Sequence, residues 1–139
     1  MRHRPRAATI AAAVATALTL SGCGLNVMSA DLFLLRRTGQ PPPLTLLVND
    51  DGVIRCNNGP AKNMPNELLL QARDLANSLN KDAQAGLKLP TPPNSVYAYS
   101  IKLPNGTITF PDTAAAARPE LAQAEQFALQ AAHGPCAGS

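Results

Sequence analysis

The side chains best suited to chemistry in this 139-residue sequence are three cysteines, Cys23, Cys56 and Cys136, and two histidines, His3 and His133. Nucleophilic catalysis needs a nucleophile, a base within reach of it and a group that orients the base. Beyond Cys23 the sequence offers His133 as its one imidazole, directly ahead of Gly134-Pro135. At such a helix end its expected role is to complement the dipole and help close the helix. Asp50-Asp51-Gly52 reads as a turn, because a calcium loop needs more oxygen ligands at fixed spacing. Asp112 is read as a residue that caps or turns the chain. Two cysteines and one histidine make a poor metal site. The sequence shows no Cys-x-x-Cys, His-x-x-x-His or Gly-rich phosphate loop. The expectation is therefore a chain that is not an enzyme, with no catalytic residues, no metal and no cofactor. Tyr97 and Tyr99 share a strand face, where packing beneath helices is expected over lining a ligand groove.

Cys23 has a different context. Arg2, His3, Arg4 and Arg6 make a basic start, and Ala7 to Leu20 is an apolar run of 14 residues. Small residues follow at Ser21-Gly22. A charged start, an apolar centre and small residues at a cut form the secretory pattern, and the run is short of the roughly 20 residues that span a bilayer. Leu20-Ser21-Gly22-Cys23 resembles the lipobox of bacterial lipoproteins. The resemblance implies that residues 1–22 are a signal peptide cut before Cys23. It implies that the Cys23 thiol carries a diacylglycerol group, that acyl chains such as palmitate hold the chain on a membrane, and that the rest faces the extracytoplasmic side. Two acyl chains suffice for stable attachment where one does not.

Removing the leader changes the composition. The chain carries 12 Lys+Arg against 9 Asp+Glu, and three of the arginines precede Cys23, leaving nine against nine. The mature part is expected to be neutral, so no basic patch remains to argue for nucleic acid or an anionic surface. With Cys23 lipidated, Cys56 and Cys136 remain. An exported compartment permits disulfides, and an even remainder predicts a Cys56–Cys136 bridge.

These residues must be positioned by one small domain. Residues 23–43 are read as a lipid-anchored tether, with the boundary at Pro41-Pro42-Pro43; within it Leu32–Leu35 of the Asp31–Arg37 piece has two other readings, a short packed strand or helix, or a contact with the membrane beside Arg36 and Arg37. Leu44–Asn49 and Val53–Cys56 read as a hairpin. A helix is expected from Pro65-Asn66-Glu67 to about Ala85, with Leu68, Ala72, Leu75, Ala76 and Leu79 as its apolar stripe and Gly86 as its stop. Pro90, Pro92 and Pro93 mark a loop. Ser95–Leu103 alternates as a strand, Asn105-Gly106 is a strong hairpin signal, and Thr107–Phe110 returns. Leu121, Ala124, Phe127, Ala128 and Ala131 form the apolar face of a second helix opening at Pro119-Glu120. The expected fold is α+β over residues 44–139: a four-stranded antiparallel sheet with two helices on one face, in the order ββαββα, preceded by a signal peptide and tether.

With this layout, Leu44 to about Ala132 resembles the emfourin family, small bacterial inhibitors of thermolysin-like metalloproteases. The resemblance rests on the hairpin around Asp51-Gly52, the helix Leu68–Leu75, the strand Tyr97–Ile101, the Asn105-Gly106 turn into Thr107–Phe110, and Pro119-Glu120-Leu121. The chain departs from that family in its anchor, its cysteine pair, and its lack of a double-Gly start and of paired Phe after the first helix. No inhibitory residue maps across. The functional expectation is a lipid-anchored envelope protein with a non-catalytic protein-binding domain, a protease being one partner the resemblance implies. The alternative is an accessory lipoprotein of an envelope complex.

Overall fold

A computed structural model describes residues 30–139. Period-2 alternation builds the sheet. In β2 (Leu44–Asn49) Leu44, Leu46 and Val48 are buried, while Thr45, Leu47 and Asn49 on the other side are half-buried. β3 (Val53–Cys56) buries Ile54 and Cys56 and exposes Arg55. β5 (Tyr97–Leu103) buries Tyr99, Ile101 and Leu103, and β6 (Gly106–Pro111) buries Ile108 and Phe110. Successive strand side chains point to opposite faces, so one face of the sheet is the core and the other is open.

The four-stranded ββαββα expectation is overturned. The sheet has six antiparallel strands in the order β4-β3-β2-β1-β5-β6. The strand that changes the picture is β1 (Asp31–Gly39), which lies in the segment expected as tether. It pairs with β2 on one side (Leu35↔Leu46) and with β5 on the other (Leu35↔Ile101). The two expected hairpins exist, but β1 stands between them. Gln40–Pro43 is accordingly the β1–β2 connection, not a domain boundary. The physical reason lies in the residue types. Phe33 and Leu35 enter the core, and Leu32 and Leu34, half-buried, are also apolar. Four apolar residues in a row show no period-2 alternation, so the pattern does not distinguish a strand from other apolar segments. The sixth strand, β4 (Ala61–Asn63), is a three-residue, largely exposed edge.

α1 (Asn66–Gln84) buries Leu68, Ala72, Leu75, Leu79 and Ala83, and α2 (Pro119–His133) buries Leu121, Ala124, Phe127, Ala128 and Ala131. Pro65 precedes the first helix, and Gly86, at φ +64°, ends it. Both helices pack on the buried face of the sheet. Phe127 meets Phe33 edge-on at 5.4 Å between ring centroids, and Tyr99 stacks on Phe110 at 5.1 Å. The Asn105-Gly106 turn is locked against α1: Asn105 Nδ2 donates to Asn80 Oδ1 at 2.7 Å, and a Cβ at Gly106 would collide with the Ala83 carbonyl.

The sheet edges are protected. β4 is short, and the outer edge of β6 is covered by the segment after α1. There Thr109 N–H donates to Leu87 O at 3.0 Å and Leu89 N–H donates to Thr109 O at 2.9 Å. Short or covered edges block strand addition by another chain.

Candidate functional site

The open face of the sheet carries an ordered row of side chains. Register places Arg55 beside Leu47, Leu47 beside Leu34, and Leu34 beside Lys102. Two half-buried leucines are thus bracketed by two exposed cations. Neighbouring strands lie about 4.8 Å apart, so the bracketing residues stand roughly 14 Å apart. The next row holds Thr45, Arg36 and Ser100 side by side, which places a third exposed cation next to the leucines. Leu34 and Leu47 lie outside the packed core and its partly buried margin. Shallow depressions of about 180 and 260 Å³ flank them, one walled by Arg36 and Arg55 and the other by Lys102 and Pro104.

The electrostatics are one-sided. Among the described residues the ion pairs are Arg73–Asp50, Arg118–Asp82 and Arg118–Glu120, so Arg36, Arg55 and Lys102 have no acidic partner there. The helices on the other side of the sheet carry Glu67, Asp74, Asp82, Glu120 and Glu125 against Arg73 and Lys81. Asp31 and Asp51 border the open face at its turn end. The even balance of nine cations and nine anions beyond position 22 therefore hides a segregation that overturns the expectation of no basic patch: cations across the middle of the sheet face, a net acidic balance on the helices.

A second polar group closes one end of the core. The Arg37 guanidinium lies over the Tyr97 ring, 4.7 Å from its centroid. Asp112 opens the 3-10 turn Asp112–Ala116 and accepts hydrogen bonds from the Ser95 hydroxyl at 2.5 Å and from Val96 N–H at 3.2 Å. Burial by itself would raise the pKa of Asp112, but these donors outweigh it and hold the carboxyl below its ordinary value. Glu125 differs. Burial first, and the charge of Asp112 second, push it up to about 7. Burial, then Glu125, push Tyr99 to about 12. Arg37 Nε and Glu125 Oε1 are buried without a hydrogen-bond partner among the described residues.

Cys23 lies outside the described residues. Cys56, ending β3, and Cys136, just beyond α2, form a disulfide with Cα atoms 5.6 Å apart. Both are buried. His133 closes α2. Asp50 pairs with Arg73 at 2.7 Å, and Asp51 Oδ1 accepts from Val53 N–H at 3.2 Å, so the Asp50-Asp51-Gly52 turn is bound up in its own structure. Tyr97 and Tyr99 lie on the helix-covered face. No group of three His, Cys, Asp or Glu able to hold a metal occurs among the described residues. No helix there is long and apolar enough to cross a membrane.

Sequence reasoning missed Arg36, Arg55, Lys102, Leu34 and Leu47 as one surface. Their parity carried the signal, since Leu47, Arg55 and Lys102 occupy strand positions opposite the core residues. Without β1 between the hairpins, nothing brought those positions together. Comparison with protein families, curated proteins and solved structures gives no match.

Proposed function

We propose that the chain is a lipid-anchored envelope protein whose exported domain acts by binding, through the open face of its sheet. The carrying observation is the row Arg55–Leu47–Leu34–Lys102 with Arg36 beside it. Apolar side chains bracketed by unpaired cations are matched by a surface that offers apolar groups among negative charges. The Cys56–Cys136 bridge supports export, because disulfides persist in oxidising compartments. The lipobox resemblance supports anchoring at Cys23. A surface that sets negative charges among apolar groups meets the requirement of the face, and both the inhibitor-like reading implied by the emfourin resemblance and the accessory-lipoprotein alternative are compatible with a domain that carries it.

The test is a photo-reactive side chain placed in cells at Thr45 or Thr107 on the open face, and at Leu70 or Leu129 on exposed helix surface. Adducts to protein or lipid are expected from the sheet positions and not from the helix positions. Cys23→Ala is expected to move the protein out of the membrane fraction and to weaken those adducts. Equal labelling from both sides of the domain would remove the open face as the binding surface, and unchanged fractionation of Cys23→Ala would remove the anchor.

A further inference from the structure

We infer that the open face rests on the anionic lipid leaflet that holds the anchor. The inference depends on the reading that this face is a binding surface and that Cys23 is lipidated. Its first support is where the chain leaves the described residues. β1 begins eight positions after Cys23. At roughly 3.3–3.6 Å per extended residue the leash reaches at most about 29 Å. Leu34 and Arg36 of the open face lie on that same first strand. The leash therefore keeps the domain, this face included, within reach of the membrane that holds the anchor.

The second support is charge. Three exposed cations without acidic partners among the described residues lie across the middle of the sheet face, with Asp31 and Asp51 at its turn end, while the helical side carries five acidic side chains against Arg73, Lys81 and Arg118. Near an anionic surface such a domain turns its sheet toward the lipid and its helices away. Arg and Lys lay their alkyl stems along apolar neighbours and keep their charged ends at headgroup level, which suits Leu34 and Leu47 between them. Two acyl chains already supply stable attachment, so the face contributes orientation more than affinity. The helical layer, with exposed Leu70 and Leu129, is then turned outward.

The experiment uses the full chain, processed and lipidated in a bacterial host and reconstituted into vesicles. Spin labels are placed at Thr45→Cys or Thr107→Cys on the sheet face and at Leu70→Cys on α1, and collision with a water-soluble relaxant is measured. In phosphatidylcholine vesicles containing phosphatidylglycerol, the sheet labels are expected to lose several-fold in accessibility while the label at position 70 does not. High salt, which screens surface charge, reverses the effect. Each charge reversal among Arg36→Glu, Arg55→Glu and Lys102→Glu weakens the docked state at least about fivefold without releasing the anchored protein. Equal accessibility of sheet and helix labels with phosphatidylglycerol present would overturn the inference. If the sheet labels become protected only on adding envelope proteins, the lipid occupant is wrong and the binding-face reading stands. If neither lipid nor protein protects them, both fall.

Discussion

At the scale of single residues, Glu125 is the group whose chemistry departs furthest from sequence expectation. It faces Tyr99 of β5, Asp112 of the 3-10 turn and, beyond Tyr99, Arg37 of β1. An unfolded glutamate loses its proton near 4.5, whereas the folded one holds it to about 7. Between these values the native state binds more protons than the unfolded state, so stability falls as pH rises through the window and levels off above it. Asp112, held below its ordinary value, acts with the opposite sign: its contribution is present near neutrality and is lost on acidification. Glu125→Gln is therefore expected to flatten the decline between about pH 5 and 7. Thermal melts across that range check it, and a variant that keeps the wild-type slope would place the titration elsewhere. The alternation of Tyr97 and Tyr99 with small or polar residues places both on the core side of β5, where Tyr99 is buried against Phe110 and Tyr97 is half-buried beneath Arg37. Nothing in Ala124-Glu125-Gln126 marks Glu125, because its burial comes from strands and a turn distant in sequence.

At the scale of elements, β1 decides the architecture. It joins β2 to β5 and places Phe33 and Leu35 in the core. A chain beginning at Leu44 would leave two hairpins with no strand between them, and is expected not to unfold cooperatively. A chain beginning at Ala30 retains every element of the sheet. Phe33→Ala, at a side chain only 1% exposed and in edge contact with Phe127, is expected to cost about 3–5 kcal/mol, read from denaturant unfolding of the oxidised protein. A loss near zero would mean that the Asp31–Gly39 segment is not integral to the fold. Much of the remaining layout was legible. The Asn-Gly turn, the Pro and Gly bounds of α1, the apolar stripes of both helices and the β2–β3 and β5–β6 hairpins all stand where local chemistry puts them. β1 escaped because the run Leu32-Phe33-Leu34-Leu35 hides its alternation, and β4 because three residues are too few to carry a pattern. The candidate site depended on β1 and became visible only with it.

At the scale of the whole molecule, the disulfide links parts that the sheet order holds apart. β2–β3–β4 occupies one flank of β1, and β5–β6 occupies the other. The C-terminal helix crosses beneath β1 through Phe127 and then turns, with Cys136 N–H donating to Ala131 O at 2.9 Å, so that Cys136 reaches the end of β3. Lys62 of β4 meets Ser139 beside it, Nζ to Oγ at 2.9 Å. The bridge therefore ties the end of the chain to the flank built from its beginning, across a separation of 80 residues. Loop-closure entropy for such a span is on the order of 4 kcal/mol. Cys56→Ala with Cys136→Ala is expected to lower Tm by roughly 15 °C or more, read in a thermal melt against the oxidised wild-type protein. Because both sulfurs are buried, the native protein should also resist reductant until it opens, so reduction should accelerate steeply on approach to the melt. Rapid reduction under native conditions, or an unchanged Tm in the double variant, would show that the flanks hold together without the bridge. In that case the contacts of β1 and Phe127 would carry the long-range cohesion that is otherwise shared with the sulfur link.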